Sequence, residues 1–196
     1  ALVMNPPYMG GGNMNDVLSQ YVKKNYKEGK TDLFSVFMLL AIDRLKQDGK
    51  YGMINMQSWM FLSSFEKLRN RLLNENRIDN MLHLGPHTFD ELSGEVVQNT
   101  AFVVTKATPN DIGGTYFRLV DGINCSHKED IFLAANFTAC TTSGVRYRFD
   151  NVSQKDFEKI PGCPIGYWVS PKIQEVFTSN LALSAVCSPC VGLQTA

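Results

Sequence analysis

Charge of one sign is not in excess in this sequence: Lys plus Arg number 19 and Asp plus Glu number 19 in 196 residues, a formal net charge of zero at pH 7. That excludes the chain-wide basic surplus that drives non-specific nucleic-acid binding and leaves only a local basic face for such a partner. Long apolar runs are missing too, and nothing approaches the roughly 20 residues needed to span a bilayer, so no membrane partner is expected. Cysteines are few and irregularly placed, five in all at 125, 140, 163, 187 and 190, which fits reduced thiols in a cytoplasmic protein better than a disulfide framework. The start has no initiator Met, no basic n-region and no small-residue cleavage site, so it is not a signal peptide and reads as a piece of something longer. Internal repeats and low-complexity segments are absent.

What is present alternates between strand and helix patterns. "ALVM" is a short strand and "NMNDVLSQYVKKNY" a polar helix. "DLFSVFMLLAIDRLKQDGK" is the clearest helix, with Asp32 as its cap, an apolar stripe through Leu33, Phe37, Leu40, Ala41 and Leu45, and Gly49 at its exit. "YGMINMQSW" reads as a buried strand, and a Ser63-x-x-Glu66 capping box predicts the next helix. "RIDNMLHL" and "VVQNTAFVVTK" are two further strands. The expected fold is α/β, a mostly parallel sheet covered on both faces. Past Thr105 the texture shifts to turn formers, short strand-like pieces and one plausible short helix, "SPKIQEVFTS". This predicts a boundary between residues 106 and 115, with 1–106 as one unit and 107–196 as the start of a second, strand-rich one.

The stretch that carries chemistry is Asn5-Pro6-Pro7-Tyr8, directly after the first strand. Two prolines stiffen the backbone and hold the residue before each of them extended. In an α/β sheet the crevice beyond the carboxyl ends of the strands is where ligands bind. Asn5 offers a side-chain carbonyl there, the stiffened backbone a second acceptor at Pro6, and Tyr8 a flat ring with a polar tip. Two acceptors beside a stacking ring match an exocyclic amine on a planar base, such as adenine N6. Bonds to both of its hydrogens favour the tetrahedral, nucleophilic form, which is catalysis by position and electrostatics rather than by a strong base. An amine inside a duplex must first be flipped out of the stack.

The NPPY stretch after an apolar strand resembles the catalytic motif of N6-adenine DNA methyltransferases. More narrowly, "MQSWMFLSSFEKLR", "LGPHTFDELSGEVVQNTAFVV" and "VGLQT" are similar to the PglX-type adenine-specific methyltransferases of BREX phage-defence systems. The resemblance implies a Rossmann-like methyltransferase half-domain followed by the beginning of a target-recognition module. It implies transfer of a methyl group from S-adenosylmethionine to adenine N6 in double-stranded DNA, in a prokaryotic restriction-modification or phage-defence setting with other defence proteins as possible partners. It assigns Asn5 and the Pro6 carbonyl as acceptors, Pro7 as stiffener, Tyr8 as stacking platform and Phe89 as the opposing wall, and it puts Asp32 beside the donor. The glycine-rich loop that holds the donor in such enzymes has no counterpart: "GGGNMN" offers a G-x-G but lacks the third glycine, and "DIGGTYF", "TTSGVR" and "PGCPIGY" have neither a preceding strand nor a following helix of the right kind. The donor site is therefore expected to be incomplete here and the fragment alone inactive.

Several residues carry a bland reading as well. Asp32 serves equally as a helix cap. Trp59 and Phe61 line either a pocket mouth or the core, and Phe89 has an ordinary core phenylalanine as its rival. Lys23, Lys24, Lys27 and Lys30 are candidates for phosphate contact, with a solvated helix face as the default. Cys187-x-x-Cys190 begins a zinc pattern that neither a second pair nor Cys125 with His127 completes, so no metal is expected. Other chemistry open to the same motif is methylation of RNA or of protein glutamine. A non-catalytic DNA-binding or scaffold module is the reading from a different class.

Overall fold

The computed structural model describes residues 1–89, 97–107, 112–137 and 144–188. Six strands form one sheet in the order β1-β2-β4-β3-β5-β6. They are β1 (Leu2–Met4), β2 (Lys50–Met56), β3 (Arg77–Gly85), β4 (Asn99–Thr105), β5 (Gly114–Arg118) and β6 (Arg148–Val152). The helices are α1 (Asp16–Asn25), α2 (Leu33–Arg44), α3 (Glu66–Glu75), α4 (Cys125–Phe137), α5 (Lys155–Glu158) and α6 (Pro171–Ser179). The α/β class read from the sequence stands.

The sheet is mixed rather than mostly parallel. β1 with β2 and β3 with β5 are parallel, whereas β2–β4, β3–β4 and β5–β6 are antiparallel. A parallel neighbour needs a crossover, which α1 with α2 provides between β1 and β2, whereas β4 pairs antiparallel with β3, the strand before it in the chain.

Alternation in β2 sends Tyr51, Met53 and Asn55 to a buried face, joined there by Met81, Phe102 and Val104. α2, α3 and the turn that enters α3 cover that face through Phe34, Met38, Ile42, Phe65, Leu68 and Leu72. Burial of a side chain of this size contributes about 1.5–3 kcal/mol, which makes this layer the main driving force of the fold. On the opposite face α4 packs Ile131 and Ala135 against Phe117, with Leu82 and Leu84 at its margin. Over β1, β2 and β4 that second face is open among the described residues. It forms a shallow apolar depression of about 310 Å³ lined by residues including Val3, Ile54 and Val103, so the expected cover on both faces is only partial here.

Two local expectations differ in detail. The Ser63–Glu66 capping box does not form: Ser63–Phe65 is a 3-10 turn and Phe65, with no side-chain bond, occupies the cap position of α3. Beyond Thr105 the sequence predicts one short helix, but α4 and α5 precede α6. α4 hides from a periodicity reading because it buries Lys128, whose ammonium donates to the carbonyls of Leu84 (2.7 Å) and Leu119 (2.9 Å). β5 and β6, from the segment expected to begin a second unit, extend the same sheet, and Phe157, Ile165 and Tyr167 join the main core. Part of the expected boundary stretch, 108–111, lies outside the described residues.

Candidate active site at the carboxyl edge of the sheet

β1, β2, β3 and β5 run in one direction, so the segments after Met4, Met56, Gly85 and Arg118 all leave the sheet at the same edge. Asn5 emerges there exposed, and among the described residues no hydrogen bond occupies its side chain or the Pro6 carbonyl. Pro6 is buried and Pro7 exposed. Tyr8 is half-buried, its ring edge-on to Phe34 with centroids 6.3 Å apart. The next residues are tied to the entrance of α2. Met9 N donates to Asp32 Oδ1 (3.0 Å), Leu33 N to the Met9 carbonyl (2.9 Å) and Gly11 N to the Thr31 carbonyl (2.8 Å). The backbones approach so closely that a Cβ on Gly11 would meet the Lys30 carbonyl at 2.7 Å.

Asp32 caps α2 by accepting from Phe34 N (3.2 Å) and clamps the Tyr8 loop with the same oxygen. Of its two sequence readings the structure forms the cap. The glycines after Met9 make a 3-10 turn, Gly11–Asn13, bonded back to Thr31, and Asn15 then caps α1. Gly10–Gly12 do lie between β1 and α1, but they follow the Asn5–Met9 segment rather than the strand itself, and they turn back onto Thr31 instead of opening the helix. The residues present do not fit a complete S-adenosylmethionine site.

A polar network that the sequence reading missed lies beneath Tyr8. Asn99, the first residue of β4 and fully buried, donates from Nδ2 to Tyr8 Oη (2.9 Å) and to the Asn55 carbonyl (3.3 Å). Asn55, equally buried, accepts from Trp59 Nε1 (3.0 Å) and donates to Met53 Sδ (3.3 Å). Trp59 is thereby a core residue packed on Phe102, not part of a pocket mouth. Burial pushes the Tyr8 phenol pKa up and the Asn99 bond pulls it back in part. The signal for this network was the polar pair Gln98-Asn99 at the head of an otherwise apolar strand.

Further along the edge, His83 is buried between Phe61, Tyr167 and Trp168. Its Nε2 lies 2.7 Å from Gln57 Oε1, an acceptor, so Nε2 carries the proton and Nδ1 accepts from Tyr167 O–H at 3.1 Å. Gln57 passes the chain on to Gln98 through its amide. Burial first, then the charges of Arg118 and Lys128, lower the His83 pKa to about 4. Phe61 is about one-third exposed and lines, with Gln57, Leu62 and Gln98, a recess of about 260 Å³.

Phe89 also sits at this edge, 36% exposed and without a ring partner among the described residues. It follows a tight turn in which Gly85 has φ +68° and its carbonyl accepts from Thr88 Oγ1 (3.0 Å). β3 is three strands from β1 in the sheet, about 14 Å at the usual spacing. Tyr8 closes most of that gap by reaching Asn99, whose register partner in β3 is Gly85. Lys23, Lys24, Lys27 and Lys30 are all exposed, and Lys27 and Lys30 border a cleft of about 380 Å³ shared with Ser63, Ser64, Glu66 and Lys67. Among the described residues no cluster of three or more His, Cys, Asp or Glu could hold a metal, and no helix is long and apolar enough to cross a membrane. Cys187 is exposed, and Cys190 lies outside the described residues.

Known proteins resemble the chain in sequence and in fold. Residues 1–89 match the Eco57I restriction-modification methylase family. The chain is 45% identical over 170 residues to the adenine-specific methyltransferase BrxX of Escherichia coli O9:H4 (strain HS), an alignment covering 87% of this chain and 13% of BrxX. It is 44% identical over 194 residues to the adenine-specific methyltransferase PglX of Lacticaseibacillus casei (strain Zhang), covering 98% of this chain and 16% of PglX. The chain thus spans about one-seventh of the length of these relatives. In fold it is similar to the type I restriction-modification methyltransferase subunit of Streptococcus thermophilus, with a TM-score of 0.54 over 84% of this chain and 37% of that one at 16% identity. The resemblance carried by the NPPY motif, and the methyltransferase fold it implied, are borne out.

Proposed function

We propose that the protein to which these residues belong transfers a methyl group to N6 of adenine in double-stranded DNA, in restriction-modification or BREX-type phage defence. The carrying observation is the unbonded Asn5 amide and Pro6 carbonyl standing at the carboxyl edge beside a braced Tyr8. The Asn5 carbonyl and the Pro6 carbonyl accept the two N6 hydrogens of a flipped adenine, drawing its lone pair out of the ring. Pro7 holds the loop stiff, Tyr8 supports one face of the base, and Phe89 closes the other. S-adenosylmethionine is the donor for the whole protein, from a site the described residues do not complete. Residues 107–196 begin the DNA-recognition part, and Lys23, Lys24 and Lys27 meet backbone phosphates. Partner proteins of the defence system belong to the same reading.

The test uses the full-length protein with the methyl donor and duplex DNA, read by mass spectrometry of the nucleosides. N6-methyladenine formed by the wild type and absent with Asn5→Ala, at unchanged donor affinity, is the expected result. Methyl groups found on RNA or protein glutamine instead, or equal loss of donor binding in the variant, would overturn it.

A further inference from the structure

Asn99 has no role in the reading above, yet its surroundings constrain it closely. It is fully buried at the point where β4 meets both β2 and β3, paired in register with Met56 and with Gly85. Its side chain makes two bonds, both from Nδ2, one to Tyr8 Oη at 2.9 Å and one to the Asn55 backbone carbonyl at 3.3 Å. A backbone carbonyl can only accept. The Asn55 carbonyl therefore fixes which end of the amide faces it, because a flipped Asn99 would set two oxygens against each other. The other end, Oδ1, is buried without a partner. Leaving a buried acceptor unpaired costs free energy that an apolar residue at this position would not incur.

The arrangement fixes the polarity of the neighbouring hydroxyl as well. Tyr8 Oη accepts a hydrogen bond from Asn99 and makes no other hydrogen bond among the described residues, so its own O–H remains available. Phe34 supports the ring edge-on. With the hydroxyl held at one end and the loop clamped to Asp32 at Met9, the ring has little freedom to tilt. We propose that Asn99 is a positioning residue for Tyr8: it holds the ring at its working inclination and makes the hydroxyl an acceptor toward the protein, leaving the O–H to donate to an acceptor on the bound nucleotide. This rests on the adenine-methylation reading for its effect on turnover, but not for its effect on Tyr8 itself.

The experiment joins a double-mutant cycle in the full-length protein to a titration that needs no activity. Asn99→Ala should lower kcat roughly five-fold, the worth of one ordinary hydrogen bond, with KM for DNA unchanged. Tyr8→Phe, which also removes the O–H donated to the nucleotide, should lower it at least as much, and Asn99→Ala should then add nothing in the Tyr8→Phe background, because its effect passes through the hydroxyl. Additive losses, or a melting-temperature change with kcat unaltered, would overturn the proposal. Independently, 3-fluorotyrosine is incorporated and the Tyr8 fluorine resonance, identified by its loss in Tyr8→Phe, is followed against pH. Removing the Asn99 donor should move its titration to higher pH. Asn99→Asp, close in size and able only to accept when ionised, should do the same and serves if the alanine variant does not fold. An unmoved titration overturns the proposal even in a protein that methylates nothing. A wild type inactive on adenine, with the titration moved, would instead overturn the functional reading alone.

Discussion

The loops after β1 and β3 leave the same edge of the sheet and differ in how they are held. After β1, residues 8–11 are bonded to Thr31, Asp32, Leu33 and Asn99, and the side chain at the tip, Asn5, is left free. After β3, the chain turns at Gly85 and Thr88, and Phe89 projects without a ring to lean on among the described residues. One side of the proposed base pocket is held by hydrogen bonds, and on the other Phe89 has no such support among the described residues. That division suits a site whose acceptor atoms must be placed to a fraction of an ångström but whose second wall has only to close.

The sharpest way to break the contrast is Asn5→Ala in the whole protein. Loss of a preorganised group aimed at the reacting amine should lower kcat by about a hundred- to a thousand-fold, and single-turnover kinetics with unchanged donor affinity would check it. A smaller effect would mean that the braced loop does not hold the reacting atom.

The β3 side has its own anchor in His83, whose effect appears in pH rather than turnover. Its pKa is lowered from 6.5 to about 4, so below pH 6.5 the unfolded chain binds a proton that the fold resists. Stability from this group is complete above pH 6.5 and is lost as the pH falls towards 4, by about 3 kcal/mol in all. Urea midpoints measured across that window should fall for the wild type and fall less for His83→Gln.

Phe89→Ala should cost about 1–3 kcal/mol of stacking on the flipped base, and the loss should be larger for a paired adenine than for one opposite an abasic gap, where extrusion is easier. Fluorescence of 2-aminopurine at the target position reads this directly, and equal losses on the two substrates would make Phe89 a packing residue. The smallest effect expected is that of Asp32→Ala. Removing the cap of α2 and the tie to Met9 should cost about 1 kcal/mol, a fall in melting temperature of roughly 2–4 °C.

Legibility in the sequence followed locality. Asn5 to Tyr8 could be read because prolines act on their immediate neighbours, and the start of α2 because Asp32 caps it locally; its buried face runs through Phe34, Met38 and Ile42 rather than Leu33, Phe37 and Leu40, and it ends at Arg44, short of Gly49. The Ser63–Glu66 box was a correct local signal overruled by packing, since burial of Phe65 winds the chain into a 3-10 turn first. α4 escaped because Lys128 breaks its apolar face while spending its charge on two carbonyls inside the fold. The brace of Tyr8 was out of reach of any window, joining residues 91 positions apart.

The guanidinium of Arg69 has a bearing on engineering. Almost wholly enclosed, it donates through Nη1 to the carbonyls of Trp59 (2.9 Å) and Leu62 (2.7 Å), and through Nε (3.0 Å) and Nη2 (2.7 Å) to that of Gly162. A graft that exchanged everything after Thr105 for a foreign recognition segment would strip Gly162 from this rivet and leave the guanidinium with half its hydrogen bonds gone, a loss of about 1.5–3 kcal/mol for each bond to a charged group. If residues beyond 107 belong to DNA recognition, as proposed, hybrids made to read new targets should therefore be joined downstream of Tyr167, carrying the native stretch through Gly162 with them.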